Sequence, residues 1–272
     1  NLEGMPRVKH ASPVQFFEEM EQQGGPRHTY VGELYFSAHR GVFTSQAQIK
    51  KGNRKSELAL REAEIWSSLA LPRGYQYPYA RMDKTWKLLL LQQFHDILPG
   101  SSIERVNTEA HAHFEQILDE ACTATGQALD ALVEQGQGAM VFNSLSFPRE
   151  EVVLLPGEFK QGAATRDGEV LLTQETKEGL LALVPMPSMG AIGLQPAKES
   201  PAFDGVKARV SASGASLENE HIKVKLNKRG EVTSFFDKAS QREFADGAMN
   251  RFLMYKDVPR LFDAWDIDSN YE

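Results

Sequence analysis

The 272-residue chain carries 30 Lys and Arg against 37 Asp and Glu, and a formal net charge of -7 argues against generic nucleic-acid or anionic-membrane binding, which needs concentrated cationic side chains. An apolar share of 41% suffices for a sizeable core, and the length suits two or three domains. The single cysteine, Cys122, has no partner for an internal disulfide, which points to a cytoplasmic protein, and its Ala-rich helical setting predicts a small buried thiol. No signal peptide and no membrane-spanning apolar run is visible.

In chain order, an amphipathic helix is expected over Pro13 to Gln23, then the breaker Gly24-Gly25-Pro26, then an extended stretch around His28 to Phe36. Helix, turn and strand in that order make a β/α unit, but there is too little chain here for a complete α/β domain. From Ser56 the period is helical: Ala59, Ala63, Trp66 and Ala70 share a face, and the helix ends before Pro72. A second helix is expected from about Ala80 to Leu98. Ser101-Ser102-Ile103-Glu104 has the pattern of a capping box for a third, with Ile103, Val106, Ala110, Phe114, Ile117, Ala121, Ala124 and Ala128 as its apolar stripe. Three such helices make a small bundle.

After Gly136-Gln137-Gly138 the helical period disappears. Val141 to Leu145, Glu151 to Leu155 and Gly179 to Val184 are expected as short strands split by prolines, and Gly162 to Gly168 as an exposed loop. Ile222, Val224 and Leu226 alternate with polar residues up to the turn Lys228-Arg229-Gly230, beyond which Val232 to Phe236 returns as the partner strand. This part of the chain resembles part of a β-sandwich.

Two stretches have the residue types of an active site. In "QQFHDILPGSS", the spacing Leu88, Leu91, His95 places the imidazole on the apolar face of the expected helix, away from bulk water. Asp96 would then sit at a helix C-terminus, where the dipole disfavours a carboxylate unless a cation, a ligand or water compensates. A hydrogen-bonded core histidine is the competing reading of His95. The second stretch, Gly32 to Ser45, gathers Glu33, Tyr35, His39 and Arg40 at the end of a likely strand, where α/β enzymes collect catalytic loops. Ordinary roles compete there too: Glu33 on a solvated strand edge, Tyr35 in the core, Arg40 in an ion pair. The basic run Lys50 to Lys55 precedes Glu57, Glu62 and Glu64, which suits a solvated helix start or a domain-interface charge network. His111 and His113, two residues apart, cannot share a helix face and make a poor metal pair.

The blocks "GELYFSAHRGVFTSQAQIKKGNRKSELALREAEIWSSLA", "DKTWKLLLLQQFHDILPGSSI" and "KDVPRLFDAWDID" together resemble glycoside hydrolase family 38, the zinc-dependent α-mannosidases, in its bacterial and cytosolic branch. The resemblance spans nearly the whole chain in order. It implies a multidomain α+β segment: the C-terminal piece of a β/α-barrel-like catalytic domain (1–52), a three-helix bundle (53–136) and the start of a β-sandwich region (137–272). It also accounts for a chain that starts at Asn1 and stops at Glu272 as a middle portion of something longer.

By the same resemblance, His95 is a zinc ligand and Asp96 a sugar-hydroxyl partner, grouped with Glu33 as a catalytic candidate. Tyr35, His39 and Arg40 would line the sugar pocket. The implied activity is retaining exo-hydrolysis of terminal α-mannosyl residues from oligosaccharides. The family's nucleophile and its other zinc ligands lie upstream, so this chain alone is expected to be inactive. No nucleic-acid or membrane partner is expected, and a homo-oligomer is left open. The alternative is a non-catalytic carbohydrate-binding or interaction module, with Trp265 and Tyr271 as its candidate aromatics.

Overall fold

The computed structural model of the chain describes residues 3–25, 27–32, 39–134, 136, 138–202, 205–268 and 271. Among the described residues four α-helices precede eleven β-strands, a mixed α+β architecture. Helix α1, Pro13–Gln22, starts where the Ser12 hydroxyl accepts the Gln15 N–H and Pro13 takes the first turn, where no N–H is missed. Of the extended stretch expected at His28 to Phe36, residues 27–32 form no strand and the remainder lies outside the described residues.

Three long helices follow: α2 (Ala47–Ala70), α3 (Tyr79–Gln92) and α4 (Glu104–Leu132). Each packs against the other two around one core, to which α2 gives Ile49, Leu60 and Ala63, α3 gives Met82 and Leu89, and α4 gives Ala110, Phe114, Ile117, Ala121 and Ala124. The stripe expected on α4 is buried from Ala110 onward, while Ile103 stays 70% exposed. Helix α2 starts at Ala47, ahead of the expected Ser56.

The capping box does not form: Ile103 holds the cap position of α4, and the Ser102 hydroxyl instead donates to the carbonyl of Asp96 at 2.5 Å. Cys122 is exposed on α4, one position round from the buried Ala121, so the expected buried thiol is also corrected.

The strands form three antiparallel sheets. One has the order β1 (Ala139–Asn143), β6 (Gly190–Ala197), β3 (Gly162–Thr165), and another the order β2 (Arg149–Leu154), β5 (Leu180–Met186), β4 (Thr173–Glu175). These two share a core: Leu180, Ala182, Val184 and Met186 alternate inward along β5 to meet Ala163 and Leu194, as the two-residue period of a strand requires. Pro185 does not split β5, because β4 pairs only with Leu180 to Ala182 and no strand on that side needs the missing N–H.

The expected exposed loop at Gly162 to Gly168 is corrected in its first part only, since Arg166, Asp167 and Gly168 do form an exposed turn. Gly162–Thr165 is a fully buried strand, and a Cβ on Gly162 would lie 2.2 Å from the Glu199 carbonyl. The third sheet runs from β7 (Lys207–Ser211) through β8 (Gly214–Glu218), β9 (Ile222–Asn227) and β10 (Val232–Asp237) to β11 (Arg242–Glu243). It contains the expected hairpin, with Val224 opposite Phe235. Lys238 and Lys223 both donate to the Glu218 carboxylate and pull it from the usual 4.5 to about 2.

Helices and sheets join at α2. Trp66 meets the Phe142 ring edge-on at 5.2 Å, its indole N–H donates to Glu62, and Arg61 reaches the Ser144 carbonyl at 2.9 Å. Because Leu89 is fully buried where all three helices meet, Leu89→Ala is expected to lower unfolding stability by about 2–5 kcal/mol, measurable as a shifted urea midpoint with unchanged slope.

Candidate active site

Helix α3 stops at Gln92, six residues before the expected Leu98, and the difference changes the setting of the His-Asp pair. Its buried side chains are Met82, Thr85, Leu89 and Gln92, while Leu91 is 53% exposed. The core face therefore lies one residue, about 100° of helix rotation, from the one expected through Leu88 and Leu91. After Gln92 the chain tightens into turns, with the Phe94 N–H bonded to Leu91 and the Ile97 N–H to Phe94.

His95 is thus not on a buried helix face. Its side chain is 76% exposed and that of Asp96 54% exposed, with Nε2 of the one 3.6 Å from Oδ2 of the other. Asp96 also lies beyond the last helical turn, where the dipole no longer disfavours it. The His95 ring rests on Phe94 at 4.5 Å, and inward-turned Ile97 and Leu98 pack against the helical core.

Helix α2 holds this loop at both ends. At its start, the Gln93 side-chain amide donates to Asn53 Oδ1 at 2.9 Å and to Glu57 Oε1 at 3.0 Å. At its finish, the Lys50 ammonium donates to the Pro99 carbonyl at 2.8 Å and also to the Ser45 carbonyl. Burial pushes the Lys50 ammonium below its usual pKa. Lys50, Asn53 and Glu57 stand at i, i+3 and i+7, one face of α2. This spacing was visible in the sequence, but the basic residues around it disguised it as a solvated helix start.

Ser45 belongs to the second candidate stretch, which is itself held from the far end of the chain. The Gly41 N–H donates to the Trp265 carbonyl at 2.9 Å, and the Ser45 hydroxyl to the Ala264 carbonyl at 2.9 Å. The His39 ring lies 4.6 Å from that of Trp265, and Arg40 is exposed just before the short 3-10 turn Gly41–Phe43. The structure therefore ties the turn after His39 and Arg40 to the His95-Asp96 loop through Ser45, Lys50 and Pro99. Glu33 and Tyr35 lie outside the described residues. The aromatics of the binding-module reading are engaged within the chain, Trp265 with His39 and Tyr271 edge-on to Tyr255 at 5.1 Å.

Among the described residues no three His, Cys, Asp or Glu side chains cluster as a metal would require. No helix among them is long and apolar enough to cross a membrane.

Residues 37–132 match the family description "Alpha mannosidase middle domain" and residues 217–272 match "Glycosyl hydrolases family 38 C-terminal domain". The chain belongs to glycoside hydrolase family 38. Within that family it is 40% identical to Alpha-mannosidase 2C1 of Homo sapiens over 98% of its own length and 25% of the relative's. It is 26% identical to Alpha-mannosidase G of Dictyostelium discoideum over 97% of its length and 28% of the relative's. The chain thus spans about a quarter of the length of the curated relatives it matches. A family 38 protein from Enterococcus faecalis, solved as a crystal structure, shares the fold with a TM-score of 0.58 at 20% identity, over 86% of this chain and 33% of that one. The family 38 middle domain is the part that carries the His95-Asp96 loop.

Gly100 closes this loop at a φ of +82°, and a Cβ there would lie 2.7 Å from the Ser45 carbonyl oxygen. Gly100→Ala is therefore expected to lose about 1–3 kcal/mol from backbone strain and displacement of Ser45, read as a lowered denaturant midpoint.

Proposed function

We propose that this chain is part of a retaining, zinc-dependent exo-α-mannosidase that removes terminal α-mannosyl residues from oligosaccharides, and that His95 supplies one zinc ligand and Asp96 a contact to a sugar hydroxyl. The observation that carries this reading is the outward presentation of the pair: an imidazole and a carboxylate, both largely exposed and 3.6 Å apart, on a loop whose neighbours are fixed to α2. The chain's own core uses neither group. Membership of family 38 and likeness to proteins named as α-mannosidases support the substrate class.

On this reading the described helices α2, α3 and α4 are a three-helix bundle that delivers a ligand to the active site, the stretch before them closes a β/α-barrel-like catalytic domain, and the three sheets begin a β-sandwich region. The residues described here do not form a zinc site by themselves, and His95 fits as one donor of a shared site whose other ligands come from outside this chain. Neutral imidazole is a common zinc ligand. Zinc bound there would coordinate neighbouring mannose hydroxyls and favour ring distortion toward an oxocarbenium-like geometry.

Asp96, an acceptor when ionised, would orient a hydroxyl beside that ligand. Glu33 is the acid/base candidate. Retention requires a second carboxyl group about 5 Å from the first, across the glycosidic bond.

His95→Ala in the full-length protein is expected to abolish bound zinc and reduce release of 4-nitrophenol from its α-mannoside at least about 100-fold with far-UV circular dichroism unchanged. The 272-residue chain alone is expected to release none. Retention of both zinc and activity by the variant would refute the ligand role of His95, and turnover by the isolated chain would refute a shared site.

A further inference from the structure

We propose that Lys50, Asn53 and Glu57 are positioning residues: a polar stripe on α2 that fixes where the His95-Asp96 loop presents its two side chains. This inference rests on the function proposed above and extends it to residues that touch neither metal nor sugar.

The loop needs such a device. His95 and Asp96 are exposed, and the Nε2 to Oδ2 separation of 3.6 Å is too long for a hydrogen bond between them. Apart from the contact of the His95 ring with Phe94, their position is therefore set by the backbone on either side. Gln93 is held by Asn53 and Glu57, and Asn53 also donates to Glu57 at 3.1 Å, so the two acceptors are themselves aligned. Pro99 is held by Lys50, and the Asp96 carbonyl is held by Ser102. These contacts bracket the pair within a few residues on each side.

Fold stability is a weak explanation for the stripe. The helices already share a core that includes fully buried Ile49, Leu60, Leu89 and Ile117. Partial desolvation of an ammonium is costly, and an apolar side chain would pack α2 at least as well. What an ammonium adds is two donors at one point, joining the Ser45 and Pro99 carbonyls, and so the two loops that carry the candidate residues. Gln46, at the start of α2, adopts a left-handed φ of 50°, a strained conformation for a residue with a side chain, where the Ser45 carbonyl is turned toward Lys50 and Gly100.

The test uses the full-length protein with Lys50→Met, Glu57→Leu and Glu57→Gln beside His95→Ala. Gln at position 57 keeps the acceptor for the Gln93 amide, whereas Leu removes it. In metal-free protein, Lys50→Met and Glu57→Leu are expected to speed amide hydrogen exchange across residues 94–100 while leaving Ala110 to Ala128 of α4 unchanged. Both are expected to weaken zinc binding in a chelator competition roughly 10-fold or more, the range for residues that orient a metal ligand, and to lower kcat more than they raise KM. Glu57→Gln is expected to restore all three readouts.

Unchanged exchange at 94–100, or faster exchange spread equally over α4, would overturn the proposal. So would normal zinc affinity in Lys50→Met and Glu57→Leu while His95→Ala abolishes it, and that result would leave the zinc reading standing. Normal zinc affinity in His95→Ala would instead remove the reading on which the proposal rests.

Discussion

Two backbone carbonyls far apart in sequence, those of Ser45 and Pro99, converge on the ammonium of Lys50. That convergence governs the geometry of the candidate site. It fixes the finish of the His95-Asp96 loop against the turn that follows His39 and Arg40, and the same turn is bonded from the other side by the carbonyls of Ala264 and Trp265. Three stretches far apart in sequence, Ser45 and Ala264 being separated by 219 positions, are thereby held around the first turn of α2. The surrounding helical core supplies the rigidity that makes such fixation useful, since polar contacts to a mobile helix would position nothing.

The arrangement suits a site completed by other parts of a longer protein. His95 and Asp96 are turned away from the core that holds their loop, and the described residues gather no metal-binding group of their own. The matched relatives are about four times the length of this chain, in keeping with their coverage of 25%. Under the proposed function the helices deliver one ligand and one hydroxyl contact, and the reacting carboxylates approach from elsewhere. Under that proposal the division of labour suits the chemistry: an imidazole that ligates zinc must be neutral with a fixed ring, and a helix-backed loop holds a ring more firmly than a free one.

Much of this was legible in the sequence wherever one period dominated. The stripe of α4 from Ala110 to Ala128 and the inner face of α2 through Ala63, Trp66 and Ala70 are buried as their spacing requires. The hairpin of β9 and β10 forms around Lys228-Arg229-Gly230. The apolar run in α3 misled because four consecutive leucines, Leu88 to Leu91, fit any face, and only packing selects Leu89. The end of α3 was hidden for a related reason: Gln93 leaves the helix for acceptors on α2, a tertiary contact with no local signature. The buried β3 has no strand signature because Gly162, Ala163 and Ala164 are small, and their fit depends on β6 and Glu199 lying close by. For the His-Asp pair the sequence spacing implies a buried imidazole, whereas both side chains are exposed, because the loop after Gln92 no longer follows the helix.

Whether His95 binds zinc can be read from anomalous diffraction at the zinc edge, using crystals of the full-length protein. A zinc peak is expected about 2.0–2.1 Å from an imidazole nitrogen of His95, with the remaining ligands contributed from outside this chain. A zinc ion fully coordinated by other residues, with the His95 imidazole beyond bonding distance, would contradict it.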